Sequence, residues 1–212
     1  MKNKPSFNFE NQLSVPVAGV DEAGCGPWAG PLVAAAVIFL KDKVPESLLL
    51  MIDDSKRLTR RQREKIYHQL VAGEGNFLYH HIDLVTVAEI DQYTISKANR
   101  LAMQRAVNGL ALQPQTALID GNRNPNLAIP TQMVIKGDQL SFSIAAASIL
   151  AKVKRDHLMI ELDQQYPCYG WATNVGYGTP KHKEALKRYG PSPHHRQSFA
   201  PIQEIMGLFP YS

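Results

Sequence analysis

Four acidic residues stand where acids can act together. Asp21 and Glu22 follow the apolar run 15–20, Asp120 closes the run 116–119, and Asp138 precedes a helix-forming stretch that begins at Ser141. Each has a plain reading by itself. Asp21-Glu22 suits a solvated strand end, Asp120 before Gly121-Asn122 a turn, and Asp138 the cap of the helix that follows. As a set they say more. Converging carboxylates repel one another and take up protons unless cations neutralise them. An all-oxygen cluster suits hard ions such as Mg2+ or Mn2+. Two such ions can activate a water and stabilise the leaving oxygen of a phosphodiester. One geometric difficulty comes with the pair, because neighbouring strand residues point to opposite faces. Asp21 and Glu22 therefore share a site only if the chain leaves strand geometry, which Gly24 and Gly26 would allow.

The elements around these acids alternate in kind. Residues 15–20 and 32–40 read as paired strands, 76–84 as a third, and 116–120 and 131–135 as two more. Thr59 is placed to cap a helix reaching about Val71, and Thr86 a shorter one. Ile95, Ala98, Leu101, Ala102, Ala106 and Leu110 fall at helical spacing. A long helix is predicted over 141–165, with Ala145-Ala146-Ala147 allowing close packing on a sheet. The last quarter is richer in Gly and Pro, with a helix predicted over 181–189. Strands first, then strands alternating with helices, predict an α/β fold whose mixed sheet is covered on both faces. In open α/β sheets, sites lie beyond strand ends, where the acids recur.

The chain has 212 residues, enough for one domain with a real core. We expect a loose polar segment over 1–13, a catalytic unit over 14–200 and a tail over 201–212. The formal net charge of +4 is compatible with a polyanionic partner without requiring one. Two distant cysteines, Cys25 and Cys168, form neither a CxxC pair nor a disulfide framework, so a reduced cytoplasmic protein is expected. Residues 1–12 lack the apolar core of a signal peptide. The longest apolar run, 32–40, is too short to cross a bilayer. No membrane association is expected, and a monomer is.

Residues 17–31 read Val-Ala-Gly-Val-Asp-Glu-Ala-Gly-Cys-Gly-Pro-Trp-Ala-Gly-Pro and run into Ala34-Ala-Ala-Val-Ile38. There follow Asp54-Ser55-Lys56 with Leu58, Leu118-Ile-Asp-Gly-Asn122, Lys136-Gly-Asp138, and Ala145-Ala-Ala-Ser-Ile-Leu-Ala-Lys152 with Arg155-Asp156. Gly176-Tyr-Gly-Thr179 and the stretch from Pro193 to Phe199 complete the set. In this order, over about residues 15–200, the chain resembles bacterial ribonuclease HII. The resemblance implies a ribonuclease-H-like fold with a helical C-terminal extension. It implies endonucleolytic cleavage of RNA in RNA–DNA hybrids, and nicking 5′ to a lone ribonucleotide in duplex DNA, leaving 5′-phosphate and 3′-hydroxyl ends. It maps the Mn2+ or Mg2+ carboxylates onto Asp21, Glu22, Asp120 and Asp138. It makes Gly24-Cys25-Gly26 a backbone reader of the 2′-hydroxyl, the group that separates RNA from DNA. It places Tyr177, which from its neighbours alone reads as a core tyrosine, at the RNA–DNA junction.

Ser55 and Lys56 fit a phosphate-contacting loop, and equally a solvated turn. Two positions depart from the family pattern: Cys25 stands where Arg is usual, and Val175 where a Lys commonly precedes Gly-Tyr. Each loses a cation: at Cys25 weaker or more salt-sensitive substrate binding is expected, not loss of chemistry, and at Val175 altered side-chain contacts around Tyr177. His194-His195 is expected at the surface or facing phosphate, and His80-His81 in a strand without a catalytic role. The tail Gln203-Glu-Ile-Met-Gly-Leu-Phe209 resembles peptides that dock on the sliding clamp, and also suits a turn packed on its own domain. A non-catalytic nucleic-acid-binding protein on the same fold is the competing function, which the four intact acids disfavour.

Overall fold

The computed structural model describes residues 4–207. Among them, five strands form one sheet in the order β3-β2-β1-β4-β5. They are β1 Val17–Ala23, β2 Leu32–Phe39, β3 Leu78–Val85, β4 Thr116–Asp120 and β5 Thr131–Val134. β1 with β2 and β2 with β3 pair antiparallel; β4 joins β1, and β5 joins β4, in parallel. The helices are α1 Glu46–Met51, α2 Arg60–Ala72, α3 Val87–Tyr93, α4 Ile95–Asn108, α5 Phe142–Gln165, α6 Trp171–Asn174, α7 Pro180–Tyr189 and α8 Ala200–Met206.

Local chemistry starts these helices. Thr59 and Thr86 each close a reciprocal capping box, with Gln62 and Glu89. Ser141 caps α5 by accepting from the Ile144 amide. The cap reading of Asp138 is therefore corrected: it sits in a separate 3-10 turn, Gly137–Gln139, before α5 begins.

The sheet is covered on both faces, as its residues require. β2 is buried throughout. Val33, Ala35, Val37 and Phe39 pack with α5 and α2, while Leu32, Ala34, Ala36 and Ile38 pack with α4. Helix α5 comes very close to β1. A Cβ on Gly19 would stand 2.2 Å from the Ser143 carbonyl carbon, so only glycine admits this approach. The small Ala145, Ala146 and Ala147 continue the contact and are fully buried.

The opening segment, expected to be loose, is docked from Pro5 onward. Ser6 bridges to Ser141, and the buried Glu10 accepts from the Ser141 hydroxyl and the Ser143 amide at the start of α5. A carboxylate at a helix N-terminus meets its unpaired amides and the positive end of its dipole. At the other end, Tyr169, Trp171, Leu186 and Ile202 form a smaller core against Met159 of α5 and Ala29. That is the helical C-terminal extension.

Candidate active site

The structure overturns the expected departure at the acidic pair. β1 does not stop before Asp21. Pairing with β2 carries it on through Asp21↔Ala35, Glu22↔Ala34 and Ala23↔Val33. The two acids keep strict alternation: Asp21 faces α5, where the Ser148 hydroxyl favours its charged form, while Glu22 faces α4, where the Asn99 amide does the same. They still share a site, because the neighbouring ladder is shorter. The pairing of β1 with β4 ends at Val20↔Ile119, leaving Asp120 at the end of β4 beside both acids.

Burial shapes the electrostatics. Burial first, then the charges of Glu22 and Asp120, push the Asp21 carboxyl well above the usual range. Glu22 is raised by burial and by Asp120, and Asp138 likewise. Asp120 thus acts on all three. Its Oδ1 accepts from the Gly137 amide at 2.7 Å and the Asp138 amide at 3.4 Å, which holds the turn carrying Asp138 against the site. Lys56 donates to Asp138 at 3.3 Å; the lysine side chain is 81% exposed and the acid's 3%. Burial pulls the Lys56 pKa down, but Asp138, Asp21 and Asp54 together raise it. Among the described residues the acids are not already closed into a cage of three ligands.

After Ala23 the chain turns at Gly24, whose φ of +104° favours glycine; a Cβ there would lie 2.2 Å from Arg155 Nε. Two buried guanidiniums grip the loop that follows. Arg196 donates to the carbonyls of Gly24, Cys25, Pro27, Gly30 and Pro31. Arg155 donates to Pro31 and Ala29, and to Val175 of the second loop. With those carbonyls turned inward, the Cys25 and Gly26 amides have no internal acceptor among the described residues. Burial first, then the like charge of Arg155, pushes Arg196 down to about 9.

Tyr177 is half exposed, which overturns the core-tyrosine reading. Its ring lies 3.6 Å from where a Gly26 Cβ would stand. The Trp28 amide donates to the Gly176 carbonyl, fastening the tyrosine's turn to the glycine loop. A cavity of about 460 Å3 is lined by Asp21, Glu22, Asp120, the 24–26 backbone, Ser55, Lys56 and Tyr177. Ser55 is tied to α5 through Ser148 at 2.9 Å. Thus three of the four acids and every expected substrate-facing residue meet in one cleft, with Asp138 joined to it through Asp120 and Lys56.

The sequence profile described as Ribonuclease HII matches residues 18–202. This chain belongs to the ribonuclease HII family. Ribonuclease HII of Rhizorhabdus wittichii is 50% identical over 97% of this chain and 98% of its own. The ribonuclease H2 structure from Pyrococcus horikoshii superposes with a TM-score of 0.77 at 31% identity, covering 92% of this chain and 99% of that one. The fold is also shared with the RNase HII of a PCNA complex from Archaeoglobus fulgidus (TM-score 0.69, 24% identity, 87% of this chain and 95% of that one). It is shared too with Bst RNase HIII in complex with Mn2+ (0.75, 20%, 97% and 74%). The protein is a ribonuclease H enzyme with a ribonuclease-H-like mixed sheet.

Within the ribonuclease HII pattern, both departures have a place. Cys25 is half-buried against the α4-side core and donates to Glu22 Oε1 at 3.4 Å. Burial first, then the Glu22 charge, pushes its thiol up, so it is a neutral donor to the acid. Val175 adopts φ +44°, a left-handed conformation costly for a β-branched residue. The sequence reading missed the clamp roles of Arg155 and Arg196, and the Ser148 and Asn99 contacts to the acids. An arginine next to an Asp or a His carries no sign of burial. His195, expected at the surface, is fully buried. In the tail, Ile202 is buried and Gln203 exposed, while Leu208 and Phe209 lie outside the described residues.

Proposed function

We propose that this enzyme hydrolyses the RNA strand of RNA–DNA hybrids and nicks duplex DNA on the 5′ side of an embedded ribonucleotide, leaving 5′-phosphate and 3′-hydroxyl ends. One observation carries the reading: the acids that would cut and the backbone that would recognise a ribose line the same cleft. Catalysis and the test for a 2′-hydroxyl would then occur on one nucleotide.

The acids fit a pair of divalent cations. Their donors are all oxygen, which suits Mg2+ or Mn2+. Burial and the neighbouring carboxylates already disfavour the charged forms of Asp21, Glu22 and Asp138, a penalty that cations offset. Asp21, Glu22, Asp120 and Asp138 would hold them, and the bound cations would supply an activated water and neutralise charge on the leaving oxygen. The protein's own residues do the positioning. Arg155 and Arg196 hold the loop carbonyls inward, and the Cys25 and Gly26 amides donate to the 2′-hydroxyl. Ser55 and Lys56 contact a phosphate, and Tyr177 packs its ring at the junction between ribose and deoxyribose.

A duplex carrying one ribonucleotide tests this, incubated with Mg2+, Mn2+ or a chelator. We expect a metal-dependent 5′ nick, and its loss in Asp21→Asn and Asp120→Asn. A protein that binds the duplex but never nicks it would be a non-catalytic binder instead. We further propose that the tail, with Gln203 exposed, docks on a sliding clamp; equal pull-down with and without residues 203–212 would exclude this.

A further inference from the structure

Behind Tyr177 lies a buried polar chain that touches none of the acids. His182, in the first turn of α7, and His195 are both fully buried and lie 3.0 Å apart through their Nε2 atoms. His182 Nδ1 is 2.9 Å from the Tyr177 carbonyl oxygen, and His195 Nδ1 is 2.9 Å from the Ser192 amide nitrogen. The Trp171 indole donates to His182 Nε2 at 3.3 Å.

The partners assign every proton. A carbonyl can only accept, so His182 carries its proton on Nδ1. A backbone amide can only donate, so His195 Nδ1 is bare and its proton sits on Nε2. His195 Nε2–H therefore donates to His182 Nε2, which also accepts from Trp171. The chain runs one way, from the Ser192 amide through His195 and His182 to the Tyr177 carbonyl. A second proton on either ring would set donor against donor. Burial lowers the pKa of both rings, that of His195 to about 3.

The chain also meets the other reading loop. The His182 ring lies against Trp28, with centroids 6.0 Å apart, and a Cβ on Gly178 would stand 2.2 Å from Trp28. So one buried imidazole fixes the backbone of the tyrosine turn and props the indole beneath it.

We propose that His182 is a positioning residue for Tyr177, oriented by His195, and that it sets the enzyme's preference for a ribonucleotide–DNA junction over continuous hybrid without touching substrate. This rests on the reading of Tyr177 as the junction residue. A merely structural histidine would lower activity on both substrates together. A positioning one shifts their ratio, because only the junction substrate requires the ring's placement.

The test compares kcat/KM on a duplex with one ribonucleotide and on a uniform RNA–DNA hybrid. His182→Leu, which cannot donate, should lower the ratio about tenfold, the worth of one oriented hydrogen bond. His182→Asn, whose amide can take the place of Nδ1–H, should restore most of it. Tyr177→Ala is the reference. If Tyr177→Ala leaves the ratio unchanged, the junction reading fails first. If it collapses the ratio while folded His182→Leu keeps it, the positioning role is overturned and the junction reading stands. Nitrogen NMR of the labelled wild-type histidines does not depend on a variant folding. We expect Nδ1–H at His182 and Nε2–H at His195; the opposite tautomers, or an imidazolium at pH 7, would overturn the chain.

Discussion

Asp21 combines two demands that conflict. In the proposed site it would have to be ionised to hold a cation, yet it is buried beside Glu22 and Asp120, which disfavour its charge. Removing that charge should therefore help the fold while ending the chemistry. In chelator, Asp21→Asn is expected to raise Tm by about 2–4 °C, the equivalent of roughly 1 kcal/mol for a chain this size. A lower Tm by calorimetry would show that the Ser148 contact outweighs the repulsion. Cys25 poses the opposite case, a neutral group where the family usually has a cation. Cys25→Arg should tighten substrate binding and steepen its salt dependence by about one phosphate contact, because each neutralised phosphate adds to the slope; the cysteine form is therefore weaker but less salt-sensitive, which corrects the greater salt sensitivity expected from the sequence. Equal affinity and equal slope between 50 and 200 mM salt, about the range where such contacts show, would mean the position does not reach substrate. The acids themselves were legible in the sequence from type and place. What they contact was not, since Ser148 is far away in the chain and Asn99 lies on another helix.

Elements were legible where side chains start them. Thr59 and Thr86 each satisfy helix amides in the manner their types and spacing predict, whereas the long helix α5 is capped by Ser141 and not by Asp138. The end of β1 was not legible, because it depends on how far β2 runs alongside. Nor was the docking of Glu10, whose partners lie more than a hundred residues away. The close approach of α5 to β1 makes Gly19 a sensitive point. A methyl group there would meet backbone atoms of Ser143 and Ile144, which cannot rotate aside. Gly19→Ala is expected to cost about 3 kcal/mol. It should also lower kcat, since moving α5 moves Ser148 away from Asp21. A folded variant with unchanged Tm and kcat would contradict that placement.

Across the whole molecule, the buried histidines and the buried acids of the cleft respond to pH in opposite senses. His182 and His195 resist protonation in the fold but take up protons near pH 6.5 when unfolded. The unfolded chain then binds more protons, so stability falls as pH drops below about 7, at up to roughly 1 kcal/mol per pH unit for each histidine. Asp21, Glu22 and Asp138 have raised pKa values, so their contribution favours the fold at low pH and is lost as pH rises through them. The two effects offset each other between about pH 4 and 6. Tm should therefore fall more steeply from pH 7 to 5 in Asp21→Asn, which lacks one opposing acid, than in the wild type. Parallel curves would remove Asp21 from this balance.

The sequence by itself determined the α/β class, most helix starts and the family, and it singled out the four acids as candidates, because these rest on residue type, periodicity and order along the chain. Only the tertiary structure decided how Asp21 and Glu22 share a site while facing opposite sides of the sheet. The reason is a difference in ladder length: β1 pairs with β2 to Ala23 but with β4 only to Val20. It also decided that Arg155, Arg196, His182 and His195 are buried behind the glycine loop and the tyrosine turn. Burial of a polar side chain depends on which distant carbonyls converge on it, and no local pattern in the chain encodes that convergence.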